Sequence, residues 1–209
     1  MAQASSDCTM THMSIVYSKI NDDRDAALQV CDLLFVALPK DPVLILLGKK
    51  KFVELLYPQL VKTTSITIAI DTISNSIIGF ISFGKYFPFD KIIKTSKLSE
   101  QSTFLLNYIK SWENFKLISL ALLFLLRTRI FRWTFPGNEL IWIAVHPNFH
   151  RSGLGSDLVL NSGILEGVSW VKTLKNSAGA IRFYEKFGYR LIRKSQNRVI
   201  LSRQPANLI

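Results

Sequence analysis

The 209-residue sequence is poor in cysteine, histidine and acidic side chains. There are two cysteines, Cys8 and Cys31, which make neither a disulfide framework nor a metal-binding spacing. The chain is therefore expected to keep free thiols, hold no metal and work in the cytoplasm. A long apolar run is also missing. The longest, Leu117 to Leu126, is interrupted by Ser119 and falls short of the roughly 20 residues that a bilayer requires. The mean hydropathy of +0.22 thus speaks for a core and not for a transmembrane span. The first residues lack a basic start followed by an apolar stretch, so no signal peptide is read there. Residues 1–12 are expected to be a frayed tail. No repeat or low-complexity linker divides the rest. Residues 13–209 are expected to be one domain, long enough to bury its own core.

What the sequence has in excess is positive charge. Lysine and arginine number 26 against 15 aspartates and glutamates, a net charge of +11. Such a surface suits nucleic acid, an anionic membrane or an anionic small ligand, and charge alone does not choose among them. No aromatic-basic platform or reading motif supports a nucleic-acid partner.

The pattern along the chain alternates strands and helices. Residues 13–20 read as a strand and Ala26 to Ala37 as an amphipathic helix. Val43 to Leu60 reads as a second helix. Two β-rich runs, residues 65–71 and 77–83, suit a hairpin with Asn75 at a positive-φ position. A helical insert of about residues 96–135 follows, ended by Pro136 and Gly137. Glu139 to Val145 is a near-continuous apolar strand, as at the centre of a sheet covered on both faces. Then come a helix over Ser156 to Leu165, a strand over Val168 to Leu174, a helix over Ala178 to Phe187 and a closing β pair. The fold class is α/β or α+β.

The sharpest local feature is His150-Arg151-Ser152-Gly153-Leu154-Gly155-Ser156, between an apolar strand and a helix. Glycine lets backbone approach a ligand, and the first turn of a helix offers N–H groups and a positive dipole end to phosphate. Arg151 adds a cation suited to a diphosphate. The plain alternative is a glycine turn that opens a helix. The loop is not a Walker A sequence, having no Lys-Ser/Thr after the second glycine, and has too few glycines for the dinucleotide fingerprint. The second feature, Asn176 to Tyr189, reads as a small-residue turn, a helix carrying Ala180, Phe183, Tyr184 and Phe187, and a stop at Gly188. Packing accounts for most of its aromatics. Tyr184 has a hydroxyl that could donate a proton.

Val145-x-Pro147-x-x-x-x-x-Gly153-x-Gly155, followed by Ala180-x-x-Phe183-Tyr184-x-x-x-Gly188-Tyr189, resembles the GCN5-related N-acetyltransferase (GNAT) family over about residues 139–194. The resemblance implies a mixed, mostly antiparallel central sheet flanked by helices, with the helical insert before the central strand. It implies an N-acyltransferase moving an acetyl or longer acyl group from acetyl-CoA or another acyl-CoA to a primary amine, by direct attack. Backbone of Ile143, Ala144 and Val145 would pair with pantetheine. The loop of His150, Arg151, Ser152, Gly153, Leu154, Gly155 and Ser156 would hold the diphosphate. Asn176 or Ser177 would contact pantetheine or an ordered water. Tyr184 would protonate the departing thiolate. Glu139 would be the general base, with His146 as the second candidate, because an ammonium has no lone pair with which to attack. The sequence departs from the family at His150, where Arg or Gln is usual, and at Asn176, one residue further than usual from the tyrosine. Beside the enzyme stand a CoA-binding module without turnover and a long-chain acyltransferase fed by an acidic acyl-carrier protein. The amine acceptor, small molecule or peptide, and the oligomeric state stay open.

Overall fold

A computed structural model describes residues 14–20, 24–39, 41–85, 137–194 and 198–204. The expected tail at 1–12 and the expected helical insert at 96–135 lie outside the described residues. The first half begins with an edge strand, β1 (Ile15–Lys19). Helix α1 (Arg24–Ala37) buries Ala27, Val30, Cys31, Leu33 and Leu34, the stripe that helical spacing makes from its apolar positions. The single helix expected over residues 43–60 is in fact three pieces. These are α2 (Pro42–Lys51), a π-helical turn (Phe52–Leu56) and α3 (Tyr57–Thr63). The break lies at Gly48, whose φ of 68° and ψ of 166° are non-helical. Asp41 starts α2 by accepting hydrogen bonds from the N–H groups of Val43 and Leu44, which otherwise lack an intrahelical partner.

The hairpin forms as expected, from β2 (Ser65–Asp71) and β3 (Ser76–Gly84), with Asn75 at a φ of 53°. Then follow β4 (Asn138–Val145), α4 (Leu154–Ser162), β5 (Ser169–Leu174), α5 (Ala178–Lys186), β6 (Arg190–Lys194) and β7 (Arg198–Arg203). Helix α4 is shorter than the expected 156–165 span at its end. It stops at Gly163, and a 3-10 turn, Ile164–Glu166, replaces the rest. Among the described residues no helix is long and apolar enough to cross a membrane.

The seven strands make one sheet in the order β1-β2-β3-β4-β5-β7-β6. Every neighbouring pair is antiparallel except β4 with β5. Helices cover both faces, and two cores result. On one face α1, α2 and α3 bury Leu34, Phe52, Leu56 and Tyr57 against Ile66, Ile68, Phe80, Trp142 and Ala144. On the other, Leu154 and Leu158 of α4 and Tyr184 of α5 pack on Ala69, Ile81, Leu140 and Val171. No residue of β4 is exposed, as the apolar run of that strand foretells for a sheet covered on both sides. Helix α4 sits unusually close to the sheet. A Cβ at Gly79 on β3 would stand 2.8 Å from Leu158 Cδ1 and 3.4 Å from Leu154 Cδ2, so glycine there sets the depth of the helix.

Candidate functional site

Two features of β4 create an opening in the sheet. First, its pairing with β5 spans only Asn138–Leu140 against Ser169–Val171. Beyond Leu140 the two parallel strands have separated. Second, the register with β3 shifts between Ser82 and Phe83, which face Trp142 and Leu140, so Ile141 is an extra residue on β4. Such a bulge re-aims the strand beyond it. The His146 N–H donates to Ile78 O at 2.9 Å. In an antiparallel pair the bonded residues alternate, so Ala144 spends its backbone groups on β3. Ile143 and Val145 turn theirs toward the opening. Of the three backbone residues expected to meet pantetheine, Ile143 and Val145 point away from β3 and Ala144 toward it.

The parallel strands bring their C-terminal ends to one edge of the molecule. At the end of β4 the chain makes a 3-10 turn, Pro147–Phe149, and then the glycine loop. Arg151 has a φ of 65°, uncommon for a side chain of its size. Gly153, just before α4, has φ 92° and ψ −15° with nothing near its missing Cβ. It is needed for that backbone conformation and not for space. Gly155 differs, since a Cβ there would rest 3.6 Å from Phe183 and 3.7 Å from Val145, in ordinary contact.

The loop's donors divide into two sets. The N–H of Ser152 turns inward to Phe149 O at 3.4 Å, that of Ser156 to Gly153 O at 2.8 Å, and that of His150 to Pro147 O at 3.1 Å. The Leu154 N–H reaches only Ser152 Oγ, at 3.4 Å. The N–H groups of Arg151, Gly153 and Gly155 meet no acceptor among the described residues. Thus of the residues expected to hold a diphosphate by backbone, these three keep unpartnered donors, and Leu154 has only the long contact to Ser152 Oγ. The His150 side chain turns back, with Nε2 lying 3.0 Å from Val145 O.

Asn176 and Ser177 form the turn at the end of β5. The Ser177 N–H donates to Leu174 O and its carbonyl accepts from Ile181, both at 3.1 Å, while its hydroxyl caps nothing. From α5, Phe183 packs against the first turn of α4 near Val145. Tyr184 is buried, its ring 5.3 Å from that of Phe183 and 5.9 Å from that of Tyr189. Burial first, and Tyr189 second, push its phenol above the ordinary value, so it holds its proton at neutral pH. Tyr17 reaches α4 from β1, donating to Asp157 Oδ2 at 3.3 Å. Burial, then the Asp157 charge, push that phenol up to about 12.

Glu139 lies on the opposite face from Tyr184. Leu140 belongs to the α4–α5 core, and adjacent strand residues point to opposite faces. Glu139 is 8% exposed and accepts from Lys172 Nζ at 3.2 Å. The same ammonium lies 4.7 Å from the centre of the Trp170 ring. Arg198 of β7 joins this group. Burial draws its guanidinium below the usual value, and Asp41 and Glu139 oppose that. Asp41 also accepts from Trp142 Nε1 at 3.3 Å. The sequence singles out Glu139 but not the Lys172, Arg198 and Asp41 that surround it. Only the register of parallel strands places Lys172 by Glu139, and no local pattern encodes that register. His146 accepts from the Asn148 N–H through Nδ1 at 3.3 Å. Among the described residues no cluster of His, Cys, Asp or Glu could hold a metal ion. Cys31 is buried and its thiol is pushed up to about 11 by that burial, which makes it a packing residue.

Comparison with known proteins agrees with this geometry. Residues 125–191 match the family model of the acetyltransferase (GNAT) domain. No curated protein matches the sequence. Solved structures do match the fold. The PaiA N-acetyltransferase from Thermoplasma acidophilum, in complex with coenzyme A, is 12% identical, with a TM-score of 0.56 over 92% of this chain and 99% of that one. The ribosomal-protein-S18-alanine N-acetyltransferase from Escherichia coli is 12% identical, with a TM-score of 0.53 over 94% and 99%. The histone acetyltransferase HPA2 and related acetyltransferase from Corynebacterium glutamicum is 16% identical, with a TM-score of 0.56 over 93% and 98%. The sheet, split between β4 and β5, is the GNAT acetyltransferase fold that the two sequence motifs suggested.

Proposed function

On a chain that carries a GNAT acetyltransferase domain, we propose an N-acyltransferase that moves an acyl group from acyl-CoA to a primary amine. One observation carries this reading. The unpartnered N–H groups of Arg151, Gly153 and Gly155, with the Ile143 backbone and the Val145 N–H, which point away from β3, border one opening between β4 and β5. An anionic diphosphate fits the former, at the N-terminus of α4. An amide-bearing arm fits the latter, pairing like an added strand. Asn176 and Ser177, at the end of β5, border the same opening and would meet the pantetheine arm.

In the reaction, Glu139 takes a proton from the acceptor ammonium, directly or through water. The neutral amine attacks the thioester carbonyl, the C–N bond forms, and the C–S bond breaks. The departing thiolate takes the phenolic proton of Tyr184, and the second proton that the nitrogen sheds as the amide forms passes through water to restore the phenol, while Glu139 returns its proton to solvent. The assignment draws support from chemistry. The phenol carries a proton at neutral pH, a state that burial reinforces, and the adjacent Phe183 packs against the first turn of α4. Glu139 stands on the other face, where Lys172 holds its carboxylate. The acceptor amine would approach from there, under the α1–α2 junction at Asp41.

The test is a thermal-shift series with CoA, acetyl-CoA and longer acyl-CoAs. A ligand that binds only the native state raises Tm by mass action, by an increment that grows with ligand concentration. A rise with acetyl-CoA, followed by acyl transfer in an amine screen, is the expected outcome. Absence of any shift with all of them would overturn the CoA reading.

A further inference from the structure

The structure points to a division of labour in the glycine loop, resting on the acyl-CoA reading above. We infer that His150 is a positioning residue, tying the loop to the end of β4 through Val145 O, and that Arg151 carries the loop's cationic role toward the diphosphate. Three observations meet in this assignment. The acceptor at Val145 is a carbonyl, which can only accept, so Nε2 of His150 bears the proton in the 3.0 Å contact. Val145 turns its backbone toward the opening, so this bond fastens the loop at the cofactor edge of the strand and occupies a carbonyl that would otherwise face the cofactor. Arg151, next along, adopts a φ of 65°. Its side chain is exposed and meets no carboxylate among the described residues.

The position is where the resembling family usually has arginine or glutamine. Glutamine Nε2 stands the same number of bonds from Cα as histidine Nε2 and also carries N–H, so it can make the same tie. The bond also survives protonation of the ring, because imidazolium donates from both nitrogens.

Calorimetric titration of CoA into the full-length protein and three variants, at several salt concentrations, tests the assignment. For His150→Ala, a loss of one neutral hydrogen bond weakens CoA binding by roughly fivefold to tenfold. The dependence of affinity on salt stays that of wild type. His150→Gln restores affinity to within about twofold. Arg151→Ala weakens binding and flattens the salt dependence, because a charge that screening acted on is gone. Wild-type affinity in His150→Ala, failure of His150→Gln to rescue, or a flattened salt dependence in His150→Ala would each overturn the assignment. Imidazole ¹⁵N shifts of the ligand-free protein provide a separate reading. A proton on Nδ1 with Nε2 bare overturns the tie even when CoA binds. No CoA binding by wild type overturns the acyl-CoA reading itself, and this inference falls with it.

Discussion

At the residue scale the phenol of Tyr184 offers two separable tests. Tyr184→Phe keeps the ring contacts with Phe183 and Tyr189 and removes only the hydroxyl. Turnover should fall by roughly 10²-fold, in the range of a lost general acid, with CoA affinity within about twofold of wild type. Steady-state rates beside a CoA titration check this, and full activity in the variant removes the acid assignment. The second test is stability against pH. Burial, and after it Tyr189, hold the Tyr184 phenol above the ordinary value for tyrosine. A raised group stabilises the fold fully below its unfolded value, and that contribution is lost as pH rises through the folded value. Denaturation midpoints should therefore fall as pH climbs above about 10, and fall less steeply in Tyr184→Phe. An identical slope in the two proteins would show that this phenol does not titrate with folding.

At the scale of elements, α4 is held against the sheet by the absence of a side chain at Gly79. Gly79→Ala places a methyl 2.8 Å from Leu158 Cδ1, and overpacking of this kind costs about 1–3 kcal/mol. The Tm should drop accordingly. The Gly79→Ala/Leu158→Ala double variant should be more stable than the sum of the two single losses, because each change makes room for the other. Additive losses would mean that the helix shifts freely. This glycine was not legible from the sequence, since nothing local marks which strand residue lies under a helix. Gly153 and Gly188 were legible, because a helix start and a helix end each demand a residue at a fixed offset. The α2–α3 region shows the opposite failure. Residues 43–60 carry a helical pattern throughout, and Gly48, with its φ of 68°, interrupts what the pattern alone makes continuous. The pairing of Glu139 with Lys172 was hidden for a third reason. It depends on the short parallel register of β4 and β5, which belongs to the sheet and not to either strand.

At the scale of the whole molecule, the sequence pattern of the last third was enough to orient everything else. Once β4, the glycine loop, α4 and β5 are joined as a parallel crossover, the edge proposed for the cofactor follows from the C-terminal ends of the strands. The net charge of +11 adds a long-range field. It should draw in a polyanionic ligand faster at low salt than at high salt, since screening shortens its reach. Stopped-flow association of CoA across an ionic-strength series checks this, with a flat response as the contrary result.

The division of the sheet between β4 and β5 also bears on the order of events in turnover. Tyr184 and Glu139 lie on opposite faces of the sheet, so in the proposed reaction donor and acceptor would have separate doors. On that proposal neither would have to depart before the other arrives, and no acylated protein intermediate would be required. Initial-rate plots in both substrates should then intersect as for a ternary complex. Parallel lines would instead indicate a ping-pong cycle through an acyl-enzyme, and would send the search to a nucleophile in the slot.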